Sequence, residues 1–141
     1  MLRRRPALVI LSFVCFLALK TQAADRRCTM DVIKRVQTLM DKHTMLLDIR
    51  LYTPTTEDYK KCPSSTLKCF AEEIKVLGEE LKTFGRIYNF KLNIKLEKLA
   101  TFFNETETAC RQCELFIEQN AANFLSDLMS TLQMMNQQFC E

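Results

Sequence analysis

Glycine, proline and histidine are scarce in this chain: Gly78 and Gly85, three prolines and one histidine among 141 residues. So little turn punctuation excludes a meander of short strands and makes all-α the expected class. His43 stands alone on the apolar side of a helical pattern, beside Met40 and Leu47. A single imidazole without a second histidine or a carboxylate partner reads as a packed helix residue rather than a catalyst. No GxSxG, HExxH, P-loop or dinucleotide-binding glycine fingerprint occurs either. An enzyme is therefore not expected, and no cofactor is implied.

Lysine and arginine form no block outside the N-terminus. There, Arg3, Arg4 and Arg5 precede an apolar run from Ala7 to Leu19, closed by Lys20. This is the order of charge and hydrophobicity in a secretory signal peptide, and it is shorter than the roughly 20 apolar residues of a spanning helix. Thr21-Gln22-Ala23 places small residues where a signal peptidase reads, so a leader over 1–23 and one mature domain over 24–141 are expected. Removing four bases and no acids takes the 20 Lys+Arg to 16 against 17 Asp+Glu, and the formal +3 becomes about −1. A near-neutral secreted chain offers no electrostatic footprint for nucleic acid and no segment for direct membrane insertion. Its length suffices for one core.

Cys15 leaves with the leader. Six cysteines stay: Cys28, Cys62, Cys69, Cys110, Cys113 and Cys140. In a short secreted chain they read as a disulfide framework, although six cysteines allow about 15 pairings and the count selects none. Cys110-Arg-Gln-Cys113 also has the form of a redox motif, but those belong to a βαβ setting. A zinc site from Cys62, Cys69, Cys110 and Cys113 would need closer spacing than Cys62 to Cys69 provides.

Four helical segments are legible. Val32, Ile33, Val36, Leu39, Met40, Leu46 and Leu47 recur at three- and four-residue steps and predict helix A over about 28–47. Residues 48–63 lose that period and read as a crossover running over the surface. Ser64 or Ser65 is the expected cap of helix B, whose Leu67, Phe70, Ile74, Leu77, Leu81 and Phe84 lead to Gly85 as the stop. Residues 88–96 alternate with period two, as a strand would. Leu81, Phe84, Tyr88, Leu92, Leu96, Leu99 and Phe103 also share one helical face, and helix C is preferred because a lone strand would leave its backbone unpaired. After a polar loop at 104–109, Cys113, Ile117, Ala121, Phe124, Leu128, Leu132, Met135 and Phe139 predict helix D over about 110–139. Four helices and a long crossover make a bundle. Asn104-Glu105-Thr106 is a glycosylation sequon in the predicted loop. The acids Glu72, Glu73, Glu79 and Glu80, and the bases Lys91, Lys95 and Lys98, read on pattern alone as solvated helix faces.

Several of these pieces together resemble the interleukin-2 and interleukin-15 family of short-chain helical cytokines. Leu51-Tyr52-Thr53-Pro54 is similar to the family's crossover, and the run from Cys69 to Leu81 to the start of its helix B. Asn104 to Glu114, with the sequon and the CxxCE, resembles the head of helix D in the interleukin-15 branch, and Phe124-Leu125 through Gln133-Met134 its end. The resemblance implies an up-up-down-down four-helix cytokine bundle stapled by disulfides; the leader implies secretion, and a monomer is the default expectation. It also implies two parallel bridges, Cys62 to Cys110 and Cys69 to Cys113. In that topology the start of helix A and the end of helix D share one end, so the remaining Cys28 and Cys140 are expected to form a third.

The implied partners are three receptor ectodomains that the cytokine brings together to stimulate lymphocyte proliferation and activation. Tyr52, Glu73, Glu80 and Glu114 match positions that meet a sushi-type alpha chain. Gln133, with Met134 beside it, matches the position that meets the common gamma chain. Asp31 matches the acid of helix A that meets the beta chain if the A–B connection is about three residues longer here; an ungapped match gives Lys34. The acid and amide of helix C in that beta site have no counterpart, because Lys91 and Lys95 fall nearby. Which member of the family this chain represents is not fixed by these motifs. The alternative from another class is a secreted helical carrier of small apolar ligands, which would need a continuous cavity of about 300 Å³ or more.

Overall fold

In the computed structural model the described residues are 25–42, 48–83, 91–104 and 109–140. The leader, His43, Gly85 and the period-two stretch before Lys91 lie outside them. Among the described residues are helices α1 (Met30–Lys42), α2 (Thr56–Lys61), α3 (Pro63–Thr83), α4 (Leu92–Ala100) and α5 (Ala121–Phe139). Strands β1 (Arg50–Thr53) and β2 (Ile117–Asn120) form one antiparallel ribbon. Helices α1, α3, α4 and α5 are the four read from the sequence as A to D.

The order of contacts fixes their directions. Cys28, just before α1, is bonded to Cys140, just after α5. Thr29 donates its hydroxyl to the Leu132 carbonyl at 2.6 Å, so these helices run antiparallel. Along the other flank of α1, Arg27 meets Phe103 and Asp31 meets Lys95. Residue numbers rise on one helix as they fall on the other, so α4 also opposes α1. Tyr59 packs edge-on against Phe103 and brings the start of α3 to the same end as the start of α1. The topology is up-up-down-down.

The core is the shared apolar stripe of the four helices: Val32, Val36 and Leu39, then Leu67, Phe70, Ile74 and Leu77, then Leu92, Leu96 and Leu99, then Phe124, Leu125, Leu128 and Leu132. Phe70 and Phe124 meet at its centre with ring centroids 5.5 Å apart. Burial of side chains this size, at roughly 1.5–3 kcal/mol each, supplies the main drive for the fold.

Three boundaries differ from the sequence expectation. The crossover carries β1 and α2 rather than featureless coil. Leu51 and Thr53 point inward while Arg50 and Tyr52 point out, and Thr55 opens α2 with a reciprocal capping box to Asp58. Helix α3 begins at Pro63, one residue before the expected serine cap. Proline suits the first helical position because its missing N–H would be unpaired there anyway. Helix D starts about eleven residues late. Cys113–Leu115 is a 3-10 turn and residues 117–120 pair with β1, so Cys113 and Ile117 leave the helical stripe and Ile117 is 74 % exposed.

The cause is covalent. Bridges Cys62–Cys110 and Cys69–Cys113 hold this stretch along the first two turns of α3, where it is drawn out and pairs with β1. Only after Asn120, whose side chain accepts from the Asn123 N–H at 2.8 Å, does the chain coil. Asn120→Ala is expected to cost about 1 kcal/mol. It should lower the denaturant midpoint without changing the slope of the transition.

Candidate functional site: an acidic face on the ribbon and helix α3

Ribbon and helix meet where β1 crosses α3. The register pairs Tyr52 with Glu118 and Thr53 with Ile117. Tyr52 is half-buried, and its backbone N–H donates to the Glu73 carboxylate. Glu73 is 8 % exposed, and its Oε1 lies 3.9 Å from the Cys113 sulfur of the second bridge. Burial raises the Glu73 carboxyl above its ordinary value; the Tyr52 N–H opposes this, and the charges of Glu72, Glu118 and Glu114 add to it. Those three acids are exposed around the buried one. Arg50 turns its guanidinium to the Glu118 carbonyl at 3.3 Å, a backbone contact that leaves the Glu118 carboxylate unengaged by it.

Of the four alpha-chain residues expected from the sequence, Tyr52, Glu73 and Glu114 are brought together. Glu80 is exposed two turns farther along α3, about 10 Å away on the same face. Glu72 and Glu118 were missed as members of the cluster. Glu118 was hidden by its assignment to the interior of helix D. The signal that could have placed it is Asn120-x-x-Asn123, a cap that ends the extended segment and starts the helix.

Glu73 gives the face a pH signature. Its carboxyl is raised in the folded chain, so the stability it contributes is complete below its ordinary 4.5 and is lost as pH rises through the raised value. Glu73→Gln is expected to flatten the stability–pH curve over that window while keeping an acceptor for the Tyr52 N–H. Thermal unfolding followed from pH 4 to 8 checks this, and an unchanged curve would sink it.

The other expected residues lie elsewhere. Asp31 is on the exposed side of α1 and is held by Lys95 at 2.8 Å and Arg35 at 3.3 Å; the Lys95 bond, then that to Arg35, keeps its carboxyl below the usual range against slight desolvation. Gln133 is exposed on α5 and Met134 half-buried against the core. Around Gln133 the surface of α5 is polar and uncharged, with Ser126, Ser130 and Gln137 at helical spacing. Asn104 is exposed beyond α4.

The six cysteines among the described residues are bonded in pairs, which closes the zinc and redox readings of Cys62, Cys69, Cys110 and Cys113. No helix among the described residues is long and apolar enough to cross a membrane. A recess of about 90 Å³ beside Cys62 is lined by Asp58, Lys61, Ser65 and Arg111, a polar lining unsuited to an apolar ligand.

No curated protein and no solved structure matches the chain significantly. The family model described as Interleukin 15 does match, over residues 8–137, nearly the whole sequence. With that match laid over an up-up-down-down bundle stapled by three disulfides, the chain belongs to the interleukin-15 family, whose members are secreted cytokines and not enzymes.

Proposed function

We propose that this protein is secreted after removal of residues 1–23 and that it brings together a sushi-type alpha chain, a beta chain and the common gamma chain on lymphocytes, stimulating their proliferation and activation. The observation that carries this reading is the acidic cluster of Glu72, Glu73, Glu114 and Glu118 around Tyr52, where burial raises the Glu73 carboxyl and the charges of the other three add to it. A fold held by three disulfides has no need of such repulsion. A basic partner relieves it, and complementary charge would speed association.

The alpha chain docks on Tyr52, Glu73, Glu80 and Glu114, with Glu72 and Glu118 completing the patch. The gamma chain takes Gln133 and Met134, where the uncharged polar surface of α5 calls for a partner of little charge. The beta chain takes the face that holds Asp31. Asn104, exposed beyond the end of α4, carries a glycan.

Binding of the disulfide-bonded protein to each ectodomain tests the reading. Gln133→Asp is expected to reduce gamma-chain binding at least about tenfold by burying an unpaired charge, with alpha-chain binding unchanged. Absence of binding to every chain would remove the receptor assignment.

A further inference from the structure

Only Cys62 separates α2 from α3, and its bridge to Cys110 pins that joint to the segment leading into the 3-10 turn. The recess of about 90 Å³ lies at this joint. Lys61 lines it from the last turn of α2, Thr66 from the head of α3 and Arg111 from the bridged segment. It is far below the roughly 300 Å³ of a pocket for a drug-sized ligand. Against the roughly 10–15 Å³ that one water-sized group needs, it has room for a group of several heavy atoms.

Thr66 is fully buried, and its Oγ1 has no hydrogen-bond partner in the protein. Thr38 and Thr131 return their hydroxyls to the carbonyl four residues back, the usual recourse of a threonine inside a helix. Thr66 does not follow them: the Cys62 carbonyl accepts its backbone N–H at 2.9 Å and not its hydroxyl. Buried hydroxyls seldom stay unbonded, so this one calls for an acceptor from the recess. The charges around it select the kind of acceptor. Among the described residues Lys61 and Arg111 have no ion pair. The acid at the recess, Asp58, is engaged by its own cap, where its Oδ2 accepts from the Thr55 N–H at 2.8 Å and the Thr55 hydroxyl at 2.9 Å. The N-terminus of the 21-residue α3 adds the positive end of its dipole.

We propose that this recess binds an oxyanion group, a sulfate or phosphate, held by the Lys61 ammonium, the Arg111 guanidinium and the Thr66 hydroxyl. Two cations and a neutral donor around one anion make charge-assisted hydrogen bonds, the stronger class. The anion ties α2 to the segment of Cys110 a second time, beside the bridge. Its source is either the free ion or a sulfate carried on an extracellular polysaccharide. The site stands apart from the receptor assignment and does not depend on it.

The test titrates the three-disulfide protein with inorganic sulfate, then with a sulfated heparin disaccharide and its unsulfated counterpart, at an ionic strength held constant with chloride. Backbone amide NMR shifts read the site locally, which matters because sulfate also stabilises folded chains by its exclusion from their surface. Saturable shifts centred on residues 61–66 and 109–112 are expected, with a dissociation constant of about 1 mM or tighter. Lys61 and Arg111 are exposed, so Lys61→Gln/Arg111→Gln should keep the fold and lose at least about tenfold in affinity. Thr66→Val should lose about threefold or more yet unfold no earlier in chloride, since a methyl replaces a hydroxyl without a protein partner. Tighter binding of the sulfated disaccharide than of sulfate would name the polysaccharide as the source, and equal binding the free ion. Shifts that never saturate, an equal response to the unsulfated sugar, or saturation unchanged in the double variant would overturn the proposal and leave the recess to water.

Discussion

Replacing Glu114 and Glu118 together by lysine is expected to abolish measurable binding to a sushi-type alpha chain, a loss of more than about 100-fold, or about 3 kcal/mol. The size follows from what surrounds them. Glu73 is buried and committed to the Tyr52 N–H, so it organises the strand more than it meets a partner. Glu114 and Glu118 are exposed beside it and present the charge that a basic receptor surface would reach. Reversing both turns attraction into repulsion at the centre of the patch, where juxtaposed like charges cost several kcal/mol. Neither side chain supports the core, so the unfolding temperature should move by little. The direction expected is a small rise, since the exchange relieves the repulsion on Glu73. Affinity and association rate by surface binding, beside calorimetry of the same samples, separate the two effects. Retained alpha-chain affinity in a folded double variant would move the alpha site off the ribbon. The same chemistry makes wild-type binding weaker in acid: a basic partner favours ionised Glu73, so affinity rises with pH from 4.5 through the raised value.

The helices were legible wherever apolar residues recur at helical spacing and nothing outranks that period. Leu67 to Leu81 and Phe124 to Leu132 were assigned to the core from spacing alone and lie there. The failure at 110–120 is equally physical. Cys113 and Ile117 extend the period of helix D backward, but two covalent links to α3 fix the path of that stretch, and a disulfide outweighs the propensity of a few residues. A local pattern cannot report a constraint imposed from 44 and 48 residues away. The candidate site was only partly legible for the same reason. Tyr52, Glu73 and Glu114 come from three separate segments, and family resemblance united them where periodicity could not. Glu118 joins them only once residues 117–120 are a strand. Lys91, Lys95 and Lys98 were legible as a series on one helix; the contact of Lys95 with Asp31 on α1 emerges only from the antiparallel packing.

The bridge from Cys28 to Cys140 should be worth about 4 kcal/mol, so that Cys28→Ser/Cys140→Ser lowers the unfolding temperature by about 10–20 °C. Its sequence separation is 112, but the inner bridges shorten the loop it closes. With Cys62 tied to Cys110, the unfolded chain already has a short path from Cys28 to Cys62 and from Cys110 to Cys140, about 65 residues, which trims the entropic effect only slightly because it varies with the logarithm of length. The double variant should nonetheless fold at 25 °C. The two ends are held by contacts of their own: the Arg27 guanidinium lies 4.1 Å from the Phe139 ring centroid, and Phe139 packs edge-on against Phe103. Thr29 keeps its hydrogen bond to the Leu132 carbonyl, and the Tyr59 hydroxyl donates to Gln138 at 3.2 Å. Burial of the Tyr59 ring pushes its hydroxyl up to about 12, so this donor keeps its proton throughout the neutral range. The acidic cluster has two bridges to itself, and alpha-chain binding at 25 °C should survive. Denaturant melts would then show a lower midpoint with a steeper slope, because the released chain exposes more surface when unfolded. A fall of less than about 3 °C would mean that the aromatic cluster around Arg27 holds the two ends together even in the unfolded chain.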